Sequence, residues 1–392
     1  MKTLFTPILL GLTLSMAAQT VRVVDNNSNA PTGNNVYSTL QAAADAATAG
    51  DFIYVQPSPT TYGNVVVEKE LHLVGIGFNL TKDLPHLSSI GNITLRSNSD
   101  NTENASNSTI TGLELSNIYL ARNTNGGPIF NLDGVSIYNN TFTSISWTTS
   151  SSNTITVSNM EVYNNRINSG INFQRDVDGV IIRNNLLYGA ITFSSTNENN
   201  AFIQNNVILS GIRKDSQGDV LIIQNNNFIG QKNTNNSFSS IMIDAIISNN
   251  IFYGRTPSIV AAGGSSSTNF QRNVFDNNLT FETGNDELPP AGGGAGNSGN
   301  ASNLEGISPD FNGTIPVLSS WSSSYDFSLD PLSAAADAGS DGTDIGITGG
   351  PYPLSTNFSL STTSLPTIES FNVSTVINPD DDLDISVQAK SN

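Results

Sequence analysis

The chain has no cysteine, so it carries no disulfide frame, no thiolate metal site and no cysteine nucleophile. His72 and His86 are its only histidines, which leaves little room for imidazole chemistry. Charge is scarce: 12% of the 392 residues are charged, and 15 Lys and Arg face 33 Asp and Glu, for a formal net charge of -18. A surface with so few cations repels phosphate backbones and anionic lipid, which excludes nucleic acid as a partner. An uncharged glycan or a cation fits that balance better. Long helical periods are missing as well. Apolar residues instead alternate with period two over short β-branched runs that Gly and Asn interrupt.

What the chain does have is repetition. Between Val135 and Phe275 one phrase returns seven times: Val135-Ser-Ile-Tyr-Asn139-Asn140, Met160-Glu-Val-Tyr-Asn164-Asn165, Val180-Ile-Ile-Arg-Asn184-Asn185, Ala201-Phe-Ile-Gln-Asn205-Asn206, Leu221-Ile-Ile-Gln-Asn225-Asn226, Ala245-Ile-Ile-Ser-Asn249-Asn250 and a weaker Thr268-Asn-Phe-Gln-Arg272-Asn273. The steps are 25, 20, 21, 20, 24 and 23 residues. A recurring period of that length with strand-like alternation predicts a solenoid of strands. Asn tolerates the left-handed backbone that sharp corners need, and stacked corners bring equivalent amides to the rung spacing of ~4.8 Å, where they bond in a ladder.

The N-terminus reads as an export signal over residues 1–18: Met1-Lys2, an apolar run from Leu4 to Leu14, then small residues Ser15 to Ala18. The run is too short to span a bilayer, so no membrane insertion is expected and the mature protein is placed outside the cell, in the periplasm or at the surface. Asn35 to Ala49 predicts an amphipathic helix with Leu40, Ala43, Ala44 and Ala47 on one face, lying across the open end of the solenoid. Asp51–Val55, Val65–Val67 and Leu71–Ile76 read as strands. Residues 19–354 form the solenoid domain in this reading. Residues 355–392 form a C-terminal strand segment, with Asp380 to Asp384 as a solvated turn. The Gly-rich stretch from Glu282 to Gly306 reads as a mobile surface loop.

Several motifs carry a resemblance. The helix, Gly50-Asp51-x-Ile53-x-Val55, Tyr62-x-x-Val65-x-Val67 and Leu71-x-Leu73-x-Gly75-x-Gly77 resemble the opening of the right-handed parallel β-helix proteins of the pectate lyase-like superfamily. Ser308-Pro-Asp-Phe311, Tyr325-x-Phe-x-Leu329, Ala334-Ala-Ala-Asp337-Ala-Gly339 and Asp344-Ile-Gly346 resemble the closing segment of secreted β-helix proteins of Bacteroidetes-like bacteria. The likeness covers residues 21 to about 350. It implies an all-β right-handed parallel β-helix with an N-terminal capping helix. Polysaccharide lyases of this superfamily use acidic residues, often with calcium, to neutralise a uronate carboxylate, and an Arg or Lys as base. Arg175, Asp176, Asp178 and Lys214 are the residues here with those types. The Asp-Asp, Gly-His-Gly and Arg-x-Lys signatures of polygalacturonase-type hydrolases are missing.

Three columns follow from aligning the rungs. Asp133, Ser158, Asp178, Asn199 and Asp219 precede the first strand, where Asp is also an ordinary turn residue. Tyr138, Tyr163, Arg183, Gln204, Gln224, Ser248 and Gln271 precede the asparagine pairs and point outward, a stripe able to lie along a sugar chain. Trp147, Phe173 and Phe193 point inward, and Lys214 breaks that column, so it must end the strand or turn toward solvent or toward a carboxylate such as Asp215. Asp337, Asp341 and Asp344 offer oxygen ligands to a calcium ion in a tight loop without matching an EF-hand. Three readings stay open. The protein binds extracellular polysaccharide without cleaving it, or is a polysaccharide lyase acting on acidic glycan, or is an adhesin or structural rod.

Overall fold

A computed structural model describes residues 19–77, 86–120, 131–147, 156–174, 176–194, 198–214, 220–230, 236–259, 268–290, 295–313, 315, 325–354, 367–373 and 385–390. The chain is a parallel β-helix. One parallel sheet has 13 strands and a second has 15; the first grows strand by strand along the stack, and the second branches so that some rungs add two strands. A third, four-stranded sheet runs beside the first through Leu132–Asp133, Val157–Ser158, Val177–Asp178 and Glu198–Asn199.

The alternation in the sequence is what closes the coil. In the first sheet Ile110, Ile137, Val162, Ile182, Ile203, Ile223, Ile247 and Phe275 occupy one register column, all wholly buried. Each such side chain contributes about 1.5–3 kcal/mol on burial, so every rung adds a roughly equal increment. In the second sheet Phe173 stacks on Phe193 with ring centroids 5.6 Å apart, and Phe228 on Phe252 at 4.9 Å.

The helix is shorter than the sequence pattern suggests. It spans Leu40–Ala46, begins where the Thr39 hydroxyl accepts the Ala42 N–H at 3.3 Å, and buries Leu40, Ala43 and Ala44. Val36 and Tyr37 are not its first turn, because β-branched and aromatic residues pair here with Val23 and Val24 at the edge of the first sheet. The helix packs on the first rungs beside Asp51, whose carboxylate ties Arg22 and Thr48 to the same corner.

The paired asparagines divide two duties between them. The first of each pair, from Asn139 and Asn164 to Asn225 and Asn249, holds the left-handed conformation, with φ between 52 and 57°. The second forms the ladder Asn140–Asn165–Asn185–Asn206–Asn226–Asn250–Asn278–Asn303. The Asn165 amide shows the pattern: Nδ2 donates to Ile137 O at 2.8 Å, Tyr163 O at 2.9 Å and Asn185 Oδ1 at 3.0 Å. Its Oδ1 accepts the Asn140 N–H at 3.0 Å and the Asn140 amide at 3.1 Å.

Two expectations are corrected at the far end. Arg272-Asn273 is not the seventh copy of the corner; that copy is Asn277-Asn278, where Asn277 has φ of 53° and Asn278 carries the ladder onward. Arg272 stands one corner earlier, stacked on Asp244, with its Nε and Nη2 at 2.7 and 2.6 Å from that carboxylate. The column residue in the last copy is therefore Asp276, paired with Ser248, and not Gln271. Nor is the Gly-rich stretch simply a surface loop. Ser298–Gly299 and Leu304–Glu305 add the last strands of both sheets, and Asn297 and Asn303 end two asparagine ladders.

After the last rung the chain turns back. Residues 325–354 climb over the corners, held by the first asparagines: Asn277 Nδ2 reaches Ala338 O at 3.0 Å, Asn249 bonds Ser340, Asn205 reaches Ile347 O at 3.1 Å, and Asn184 reaches Tyr352 O at 2.8 Å. Phe327, Ile347 and Ile315 cover Leu186, Val207 and Ile229 on the outer side of the second sheet. Thr367–Val373 and Ile385–Lys390 pair as an antiparallel hairpin, the expected terminal strand pair. No helix among the described residues is long and apolar enough to cross a membrane.

Candidate functional site

The outward stripe assembles in the expected register: Tyr138 opposite Tyr163, then Arg183, Gln204, Gln224 and Ser248. Its contacts run along the solenoid axis rather than outward. Tyr138 and Tyr163 lie ring on ring at 4.7 Å and 6°. The Arg183 guanidinium covers the other face of Tyr163 at 4.0 Å, sits 4.5 Å from the Tyr352 ring, and reaches Glu161 at 3.2 Å. The Gln204 amide donates to Gln224 Oε1 at 2.9 Å. The stripe is thus a self-stacked spine. The faces of Tyr163 that a pyranose ring would stack on are already taken.

That packing has a measurable consequence. Burial pushes the Tyr163 phenol up to about 12, with the neighbouring Tyr138 adding to the effect. Because the folded state holds this proton more tightly than the unfolded chain, the associated stability is complete below about pH 10 and is lost as pH rises toward about 12. Spectrophotometric titration of the native protein should show a late tyrosine phase that Tyr163→Phe diminishes, leaving the smaller contribution of the Tyr62 and Tyr253 phenols, which burial also pushes up. A single phase near the ordinary tyrosine value in both proteins would contradict the stacked arrangement.

The lyase-type residues sit in different environments where the structure describes them. Arg175 lies outside the described residues, as do Asp215 and Asp219. Asp178 is exposed on the third sheet, in register with Asp133, Ser158 and Asn199 as expected. Asp133 shows what that column does: its carboxylate accepts the Ser158 hydroxyl at 2.7 Å and the Asn159 amide at 2.8 Å, which lowers its pKa. Asp176 is half-buried just before the same strand. Lys214 is the last residue of its strand, Ile212–Lys214, one of the expected alternatives, and it does not turn to solvent. It pairs with Phe193, keeps the inward position of the column and is wholly buried, since Ile212–Lys214 remains bonded in the second sheet. A base must reach the proton it removes, and a side chain in that position does not face an open surface.

The C-terminal aspartates are also occupied locally. Asp341 Oδ1 accepts the Thr343 N–H and hydroxyl, at 3.1 and 2.7 Å, and Asp344 Oδ1 accepts the Asp337 N–H at 3.0 Å. These are turn bonds. Among the described residues no three His, Cys, Asp or Glu side chains are grouped to hold a metal ion.

The open, polar surface lies elsewhere, on the outer face of the second sheet. The strands Thr141–Trp147 and Arg166–Phe173 pair with a shift between Phe142 and Ser144, so the second strand carries one extra residue there. Such a bulge bends the strand and re-aims its side chains. Asn168 and Ser169 are exposed at it, and the sheet forks beyond it, one branch through Leu186–Leu187 and the other through Ala190–Phe193. Two adjoining cavities occupy this bend. One, of about 350 Å³, reaches from Ser89 and Glu114 to Thr143 and Asn168. The other, of about 290 Å³, runs from Ser144 and Ser169 to Asn172 and Thr192. Past it the outward column continues to Arg213, which is exposed.

A second amide ladder edges this groove. Asn92 Nδ2 bonds Asn64 Oδ1 at 3.3 Å, Asn117 Nδ2 bonds Asn92 Oδ1 at 3.0 Å, and the Ser144 hydroxyl bonds Asn117 Oδ1 at 2.8 Å. The sequence shows a trace of it. Asn64-Val-Val-Val, Asn92-Ile-Thr-Leu, Asn117-Ile-Tyr-Leu, Ser144-Ile-Ser-Trp, Gly170-Ile-Asn-Phe and Ala190-Ile-Thr-Phe are one phrase whose first residue shrinks. The bulge and the irregular spacing hide it from a period search. Compared with known proteins, the chain matches no family model and no curated protein.

Proposed function

We propose that the protein is a secreted β-helix that binds extracellular polysaccharide without cleaving it, and that the groove on the outer face of the second sheet is the binding surface. The observation that carries this reading is the pair of adjoining cavities at the bend. Their polar walls are hydroxyls and amides on consecutive rungs, and Glu114 is the one charged residue lining them among the described residues. Hydroxyl and amide groups repeated at ~4.8 Å, close to the length of a sugar residue, suit a chain of sugars. The acidic balance, with 15 Lys and Arg against 33 Asp and Glu, disfavours a nucleic-acid or anionic-lipid partner. The burial of Lys214 and the self-stacked stripe weigh against the lyase residues and against the tyrosines as the contact surface.

The test is retention on a panel of immobilised acidic and neutral polysaccharides, with absorbance of unsaturated uronate followed in parallel, with and without calcium. Retention on at least one glycan without product is expected, weakened by Asn172→Ala combined with Thr192→Ala. Product formation lost in Asp176→Asn or Asp178→Asn would make the protein a lyase. Silence on every glycan would favour a rod that meets another protein.

A further inference from the structure

The outer ladder stops in the middle of the groove. Its register column reads Asn64, Asn92, Asn117, Ser144, Gly170 and Ala190 over successive rungs. Each of the first members passes a hydrogen bond to the oxygen one rung before it, down to the Ser144 hydroxyl. Gly170 and Ala190 then offer no side-chain polar group, and the 290 Å³ cavity opens at the place where the next amides would stand. Gly170 has φ of 133°, and a Cβ on it would collide with the carbonyl of Ala190, so this rung cannot carry an amide of its own.

The rest of the cavity has the complementary chemistry. Asn172 Oδ1 is a buried acceptor with no hydrogen-bond partner. Ser146, Ser169 and Thr192 add hydroxyls, and the Ala190 methyl is the apolar group on this face, since Ile145 and Ile171 point into the core. Among the described residues no charged side chain lines it. We propose that this cavity binds the acetamido group of an N-acetylated sugar, an inference that rests on the glycan-binding reading and names its substrate class. The ligand's N–H donates to Ser144 Oγ in the place of the missing ladder amide, its methyl lies on Ala190, and ring hydroxyls bond the Ser146 and Thr192 hydroxyls. A free ammonium in the same position would find no counter-charge, so the de-N-acetylated sugar is rejected.

Three soluble oligosaccharide sets separate the outcomes in calorimetric titrations of the full chain: β-1,4-linked N-acetylglucosamine oligomers, the same oligomers de-N-acetylated, and β-1,4-glucose oligomers, with N-acetylgalactosamine as a further acetamido probe. An acetamido sugar should bind roughly tenfold or more tightly than its counterpart lacking the acetyl group, the worth of one well-made hydrogen bond plus methyl burial. Ala190→Asn, which fills the cavity with an amide, should abolish that preference while the thermal midpoint stays unchanged, and Ser144→Ala should weaken it. Equal binding of acetylated and non-acetylated oligomers would overturn the acetamido inference and leave glycan binding standing. A preference that survives Ala190→Asn would place the selecting group elsewhere and overturn it too. No binding of any sugar here, together with silence on the polysaccharide panel, would remove both readings.

Discussion

Asn165→Ala should cost about 3–5 kcal/mol of stability, whereas Asn164→Gly, one residue away, should change it by less than about 1 kcal/mol. The two asparagines look alike in sequence and do different work. Asn164 holds φ of 53°, a conformation glycine adopts without strain. Asn165 is wholly buried, and its amide has five hydrogen bonds across three rungs. Alanine there leaves the Asn140 N–H and the Ile137 and Tyr163 carbonyls each short of a partner in a site closed to water. Asn165→Asp is expected to be worse than alanine, because the oxygen replacing Nδ2 would face two carbonyls, and a buried carboxylate has no cation beside it. Urea unfolding of the three variants checks the order. Equal costs for Asn164→Gly and Asn165→Ala would mean that the ladder adds nothing beyond filling space.

Asp51→Ala should loosen the N-terminal end by about 3–5 kcal/mol, because it leaves the Arg22 guanidinium unpaired in a largely buried site. Asp51 is 1% exposed and accepts the Thr20 N–H at 2.8 Å, the Thr48 N–H at 2.9 Å, the Thr48 hydroxyl at 3.0 Å and Arg22 Nε at 3.1 Å. Burial by itself would raise the carboxyl. The backbone bonds from Thr20 and Thr48, with the Thr48 hydroxyl and Arg22, outweigh it and hold the pKa below the ordinary value. With a depressed folded pKa, the contribution is complete above the unfolded value of 3.8 and disappears as pH falls through the folded one. Hydrogen exchange of residues 20–55 should therefore accelerate in Asp51→Ala at pH 7, and in the wild type only in acid. Because rungs of a solenoid contact mainly their neighbours, protection near Asn226 should hardly change. Uniform acceleration along the chain would instead mean that the whole coil unfolds as one unit.

Much of this architecture was legible without coordinates. The asparagine pairs announced stacked corners because only a few residue types tolerate a left-handed corner, and only an amide both donates and accepts along a stack. The inward columns followed from period two alone, since alternation fixes which side chains share a face. Register then came nearly free: Tyr138, Tyr163, Arg183, Gln204 and Gln224 align as their positions before each pair require.

The failures have a common cause. Arg272-Asn273 imitated a corner pair in letters, but it folds as the corner before the first sheet, where Arg272 meets Asp244 from the rung below. The Gly-rich stretch looked structureless because its two strand pieces are two residues each, too short for a pattern. Lys214 was judged by its own hydropathy, while its backbone, in register with Phe193 and bonded to Ile241, keeps it in the sheet with its side chain inward.

The sequence by itself determined the β-helix, its corners and its core, because a repeated local pattern stacks on itself and each rung supplies the environment of the next. Tertiary structure alone decided the surfaces. Whether a tyrosine shows its face to a ligand depends on the Arg183 one rung away and on Tyr352, far along the chain. The groove exists because a bulge bends one strand and a ladder runs out of amides there, a coincidence of register that no single stretch of residues encodes.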